Sequence, residues 1–326
     1  MRRLVAAAAG VLPLLVGWPA AASTGPDFRL LSEEITESSG LVVSRSQDDL
    51  AYTVNDSGDS ARVFSVDMRN GRVVGETTLA GVEAVDFEAL AVAPGRRLLV
   101  ADIGDNERSR DEVRLYEIDE PGRGDTVAEP RTLRLTYPDS PHDAEAVLVR
   151  DGELFVVTKV PFRGAVYSAG RLDDAATTRM LRRVASAPGL VTDATMLADG
   201  RIVLRTYALA FVLRDGWRQQ GFLRLPRTEL GESVAAEPRG PFVYAGSEGE
   251  RSPVYRVRIP TSFGPTARPP DDPSASPTAR PPDQAVRPDP GAVENALTRD
   301  LLIKGGAVVG GLAVLALLVR LVRRPR

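Results

Sequence analysis

Asp86-Phe-Glu-Ala-Leu90 and Asp143-Ala-Glu-Ala-Val147 are two copies of one short pattern: an acidic residue, a second acidic residue two places on, then an apolar run. Looser copies stand at Glu37-Ser-Ser-Gly-Leu41, Asp193-Ala-Thr-Met-Leu197 and Glu232-Ser-Val-Ala-Ala236. They recur at intervals of roughly 40–55 residues, the period of propeller blades. Behind each copy lie apolar runs about four to eight residues long, parted by Gly, Asp, Asn and Pro, which predicts short antiparallel strands. The runs are 40–43, 50–54, 62–66 and 73–79; then 90–93, 98–101, 113–118 and 131–137; then 146–149, 154–158, 165–168 and 179–185. A fourth set covers 196–197, 202–205, 210–213 and 219–225, and a fifth only 234–236, 242–245 and 254–259. Four strands per repeat around an axis make an all-β propeller, with five blades expected and six as the alternative. The run at 28–32 is expected to supply the fifth repeat's missing outer strand and so tie the ring shut. A β-sandwich is the other architecture for an all-β chain, but it leaves the repeat unexplained.

In a four-stranded meander, residues just before the first strand and just after the second reach the same face of the disc. Glu37, Asp86, Glu88, Asp143, Glu145, Asp193 and Glu232 form the first row. Asn55, Asp56, Asp102, Asp105, Asn106, Lys159, Tyr207 and Glu248 form the second. Both rows should surround one mouth of the central channel. Crowded carboxylates cannot all ionise without cost, so either their pKa values rise or a cation neutralises them. An all-oxygen donor set, in a chain with no cysteine and one histidine, favours a hard ion such as Ca²⁺, which takes six to eight oxygens at ~2.3–2.6 Å. The expected metal ligands are Glu37, Asp86, Glu88, Asp143 and Glu145. Asn55, Asp56, Asp102, Asp105, Asn106, Lys159 and Tyr207 are the expected ligand contacts. The bland alternative is that Asp and Asn at strand ends make turns and bond nearby backbone N–H groups. His142, the only histidine, reads as a general base or metal ligand, or else as a turn residue after Pro141. Lys159 reads as a partner for Glu145, as a holder of an anionic ligand, or as an exposed charge.

The stretches Asp86-Phe-Glu-Ala-Leu90, Ala101-Asp-Ile-Gly-Asp-Asn106 and His142-Asp-Ala-Glu-Ala146 resemble bacterial exported propellers of a broad group. That group includes YVTN-type repeats, calcium-dependent gluconolactonases and phytase-like or esterase-like propellers. The resemblance covers the five repeats and implies the propeller fold. For activity it implies a Ca²⁺-dependent lactonase, esterase or phosphoesterase as the alternative to a binding module. A phytase-type phosphate clamp would need several cations, and only Arg108, Arg110 and Arg163 supplement His142 and Lys159. The chain has no Gly-x-Ser-x-Gly elbow, no His-Glu-x-x-His and no Gly-rich phosphate loop with lysine.

The ends carry separate signals. Residues 1–22 read as an export signal: Arg2 and Arg3, an apolar core, then Ala20-Ala21-Ala22. Residues 24–263 are the propeller. Residues 264–299 are Pro-rich and duplicate Thr-Ala-Arg-Pro-Pro-Asp, which predicts a disordered, extended stalk. Residues 300–322 are apolar for long enough to span a ~30 Å hydrocarbon layer. Arg323, Arg324 and Arg326 lie in the basic tail 323–326, which the positive-inside rule places in the cytoplasm. Gly306 and Gly310 have the spacing of a close helix–helix contact, a weak argument for a dimer. A formal net charge of −3 favours no nucleic-acid partner. The expectation is a single-pass cell-membrane protein whose propeller stands outside the cytoplasm and binds an unknown extracellular ligand or protein.

Overall fold

A computed structural model describes residues 25–263. The expected signal peptide, stalk, membrane span (with Gly306 and Gly310) and basic tail lie outside the described residues. Among the described residues no helix is long and apolar enough to cross a membrane.

The chain starts with β1 (Phe28–Arg29) and then builds blade 1 from β2 (Ser38–Val43), β3 (Leu50–Asn55), β4 (Arg62–Asp67) and β5 (Arg72–Leu79). Blade 2 uses β6 (Phe87–Ala93), β7 (Arg97–Asp102) and β8 (Val113–Asp119); the chain then forms β9 (Thr126–Ala128) before β10 (Arg131–Thr136) returns to blade 2. Blade 3 is β11 (Ala144–Arg150), β12 (Glu153–Thr158) and β13 (Arg163–Arg171), and after β14 (Thr178–Met180) it gains β15 (Arg182–Pro188). Blade 4 is β16 (Val191–Met196), β17 (Ile202–Thr206), β18 (Leu209–Arg214) and β19 (Arg218–Arg224). Blade 5 is β20 (Val234–Ala236), β21 (Phe242–Ala245) and β22 (Pro253–Arg258), completed by β1 on the outer edge of β22. Phe28 pairs with Val254 there, so the N-terminal segment closes the ring as expected. There are five blades and no sixth among the described residues.

The first strand of each blade lines the axis. β2 touches β6, β6 touches β11, β11 touches β16, β16 touches β20, and β20 returns to β2. Neighbouring blades cover both faces of each inner strand, so β2 is buried along its whole length. The core is accordingly a ring of layers between blades. Tyr52, Leu90 and Val100 pack between blades 1 and 2, while Leu99, Val147 and Tyr167 pack between blades 2 and 3. Gly40 shows how closely the inner strands approach: a Cβ there would fall 2.8 Å from the backbone nitrogen of Leu90.

Three features depart from the sequence expectation. β9 pairs in parallel with β5, and β14 pairs in parallel with β10, so blades 2 and 3 each lend a short strand to the outer edge of the preceding blade. The expected run 179–185 is therefore divided between β14 and β15. The inner strand of blade 4 is Val191–Met196 rather than 196–197, because Asp193 lies within the strand. Its buried carboxylate accepts the N–H groups of Ala194 (2.7 Å) and Val234 (2.6 Å), clasping blade 4 to blade 5. Third, β2, β6, β11 and β16 each shift register near their start. The residue skipped in β6 is Glu88, in β11 Glu145 and in β16 Thr192. A bulge of this kind re-aims one side chain.

Candidate acidic site at one mouth of the channel

The repeated bulge explains why two glutamates in mostly apolar strands are tolerated. Glu88 and Glu145 are both nearly inaccessible to solvent, at 2% and 3% exposure. Asp86 and Asp143, placed just before the same strands, come in beside them, and Asp56 approaches from the end of β3. Carboxylate oxygens of Asp56, Asp86 and Glu88 lie within 4.8 Å of one another, and so do those of Glu88, Asp143 and Glu145. Glu88 thus belongs to both groups. The loop after β7 leaves room for them only because residue 104 is glycine: a Cβ there would overlap the carboxylates of Asp86 and Glu88.

Burial dominates the electrostatics. It pushes Glu88 well above the usual carboxylate range, with the charges of Glu145, Asp56 and Asp86 adding to it. Burial likewise raises Glu145, although Lys159 opposes the effect. Asp86 is pushed up to about 7 by burial and by its hydrogen bond and charge contact with Asp56. Asp143 rises through burial, while the N–H of Asp105 (3.0 Å) and the charge of Lys159 hold it back. Lys159 forms an ion pair with Glu145 and lies 5.5 Å from the centre of the Tyr207 ring. Burial works against its charge, but Glu145, Tyr207 and Glu232 outweigh it and raise the ammonium above its ordinary range. Tyr207 is pushed up to about 12 by burial, with Lys159 opposing. No ion pair among the described residues includes Asp56, Asp86 or Glu88.

The other expected residues divide sharply. Glu37 is exposed and belongs to neither group, although burial raises Glu248 and the charge of Glu37 adds to that rise. Asn55 spends its amide on turn geometry: it accepts from Glu37 N (3.3 Å) and donates to Glu34 O and Asp59 Oδ2, both 2.7 Å. Asp102 accepts from Asp86 N (3.2 Å) and pairs with Arg110 (2.8 Å). Asp105 staples its own loop through the N–H groups of Ser109 (2.9 Å) and Arg110 (3.0 Å). Asn106 is exposed in that loop. Asn55, Asp102 and Asp105 therefore support the site, while Asp56 joins the carboxylates directly.

His142 faces elsewhere. Its Nε2 lies 3.1 Å from Asp139 and 3.0 Å from the Tyr167 hydroxyl, and its ring packs edge-on to Tyr137 at 4.9 Å. None of these partners is a member of the carboxylate groups. The sequence expectation gave too little weight to Glu232. This side chain is 7% exposed, its Oε2 is buried without a hydrogen-bond partner among the described residues, and burial pushes it up to about 7, with Lys159 opposing. Its place just before the fifth inner strand was the available signal.

No family model and no curated protein matches the chain. Solved structures that resemble it are propellers of mixed roles. The PQQ-bound aldose sugar dehydrogenase of Streptomyces coelicolor is 11% identical over 74% of this chain and 99% of that one, with a TM-score of 0.45. Glutaminyl cyclase of Myxococcus xanthus is 12% identical over 74% and 98%, at 0.45. A gluconolactonase of Xanthomonas campestris is 13% identical over 68% and 71%, at 0.43. This chain is a five-bladed β-propeller. At such identities and scores the likenesses say nothing of ligand or reaction.

Proposed function

We propose that the chain is a membrane-anchored extracellular binding module that captures its ligand through a Ca²⁺ ion held at the acidic mouth. The observation that carries this reading is the position of Glu88 in both carboxylate groups. Among the described residues Asp56, Asp86 and Glu88 make no ion pair, the charges of Arg110 and Lys159 acting on Asp86 and Glu88 only weakly against burial, whereas Lys159 pairs directly with Glu145. Such a cluster must take up protons or a cation, and its donors are all oxygens, as Ca²⁺ prefers. The orphaned Oε2 of buried Glu232 is a further acceptor, on which the charges of Lys159 and Asp56 both act. A bound ion with open positions would then receive carboxylate, hydroxyl or phosphate oxygens of a ligand. The export signal, stalk and anchor read from the sequence supply the cellular setting.

The test is the melting temperature of the full-length chain in chelator and in millimolar Ca²⁺. An ion at 100 times its dissociation constant stabilises by about 2.7 kcal/mol, and Glu88→Gln should abolish the response while retaining the shape of the side chain. An unchanged melting temperature of the wild type sinks the proposal.

Glu232 favours a second reading, a Ca²⁺-assisted hydrolase. A buried carboxyl with a pKa of about 7 is suited to moving a proton at neutral pH. In that case Glu232, and not His142, is the base. Hydrolysis of lactones, aryl esters or phosphoesters that disappears in Glu232→Gln and persists in His142→Gln supports it; a silent panel leaves the binding module.

A further inference from the structure

At the other end of the channel, where the inner strands finish, a cavity of about 570 Å³ opens among the first hairpin turns of the blades. Its volume falls within the range of small-molecule sites, roughly 300–1,000 Å³. All five blades contribute to it. Val43, Val92 and Leu197 give apolar wall, Thr195 lies on blade 4, Glu237 on blade 5 and Arg150 on blade 3.

Arg150 is the unusual member. It ends β11, and its guanidinium carbon sits 5.8 Å from the ring centres of both Phe155 and Trp217. Those two rings meet edge to face at 5.1 Å. Trp217 reaches this position from the β18–β19 turn of the neighbouring blade, where its backbone is held at φ +61°. The guanidinium therefore lies within cation–π reach of both rings before any ligand arrives, which lowers the ordering cost of binding. Its nearest carboxylate, on Asp151, is 3.7 Å from Nε and almost fully exposed, a weak kind of pairing. Its Nη1 is buried and has no hydrogen-bond partner among the described residues. A buried donor left unmade is costly. Of the two further acids in the wall, Asp215 is exposed and Glu237 is taken by a two-pronged pair with Arg256 at 2.8 and 2.9 Å.

We propose that this cavity is a second ligand site, distinct from the acidic mouth, that takes a small organic monocarboxylate with an apolar body. The carboxylate accepts from the Arg150 guanidinium, and the apolar part lies against Val43, Val92 and Leu197. A singly charged head fits better than a phosphate, because Arg150 offers the unpartnered buried donor, the second lining arginine, Arg45, is exposed, and Asp151 and Asp215 on the rim disfavour further negative charge.

The experiment is calorimetric titration of the purified full-length chain with phenylpropionate, phenylacetate and hexanoate, and with the matching amides. At least one carboxylate should bind saturably, with its amide about tenfold weaker or worse, the worth of one charge-assisted hydrogen bond. Arg150→Gln should weaken the carboxylate by about the same factor. Ala198→Trp, at an exposed position in the wall, should block the cavity without touching Arg150, and it decides the matter if Arg150→Gln does not fold. Glu88→Gln should leave the affinity unchanged, which separates this site from the acidic mouth. Absence of saturable binding, amides that match their acids, or wild-type affinity in Ala198→Trp overturns the proposal.

Discussion

The two mouths of the channel are made by the two ends of the same inner strands, yet they treat charge in opposite ways. At one end, bulges in β6 and β11 turn Glu88 and Glu145 inward, and Asp86 and Asp143 join them, so negative charge is buried faster than it is matched. At the other end the strands finish in regular register on Val43, Ala93 and Met196, and the charge of Arg150 lies within cation–π reach of two aromatic rings. A propeller's inner strand is thus neutral scaffolding by default. At the acidic mouth the buried charge enters where the ladder is locally broken.

The largest expected effect comes from removing Lys159, and removing Arg150 is its contrast. Lys159→Met leaves Glu145 buried without its partner and should cost about 3 kcal/mol in denaturant unfolding with chelator present, the toll of breaking a buried pair. Arg150→Met breaks no buried pair and should cost under about 1 kcal/mol. Equal losses would erase the distinction between the mouths. Next come the glycines. Gly104→Ala pushes a methyl into two carboxylates and should cost about 2 kcal/mol by the same measurement. Gly200→Ala, at φ +82° with open space around it, should cost about 1 kcal/mol through backbone strain alone.

A smaller effect is the response to pH. A carboxyl whose pKa is raised by folding binds more protons in the folded chain than in the unfolded one, so stability falls as pH rises through that window. For Asp86 the window runs from 3.8 to about 7, and for Glu232 from 4.5 to about 7. In chelator the melting temperature should therefore rise by about 5 °C between pH 8 and pH 5.5. Millimolar Ca²⁺ should flatten that rise, because protons and the ion compete for the same oxygens. A trend in the opposite direction means that the cluster is not buried as described. An effect as small as that of Gly200→Ala is expected of His142→Gln. It should cost about 1 kcal/mol, the loss of one hydrogen bond, and leave the Ca²⁺ response intact. A lost response would bring His142 back into the acidic site.

Much of the ring could be read before any coordinates. The acid-marked repeats set the blade count near five, and the start of the odd run at 28–32 found its place on β22 because the fifth repeat supplies only three strands of its own. Asp86, Glu88, Asp143 and Glu145 were legible as a group because two copies of one motif on adjacent blades must face one another. Glu37 and Asn106 carry the same residue chemistry but stay exposed, and Asp193 lies one step past the bulged position and turns into the strand ladder. That one-residue difference flips a side chain from channel to clasp. The lent strands β9 and β14 were illegible, since each is three residues long and pairs with a strand far away in the chain.

The amino-acid sequence by itself determined the period, the all-β character, and the concentration of oxygen ligands at one end of the ring. These follow from alternating apolar runs and from acids repeated at a fixed place. Only the tertiary structure decided which acids share a pocket, that His142 answers to Asp139 and Tyr167 instead, and that Arg150 stands stacked over a cavity at the far mouth. The physical reason is that burial and pairing are set by neighbours from other blades. Those neighbours are tens of residues away along the chain and a few ångströms away in the fold.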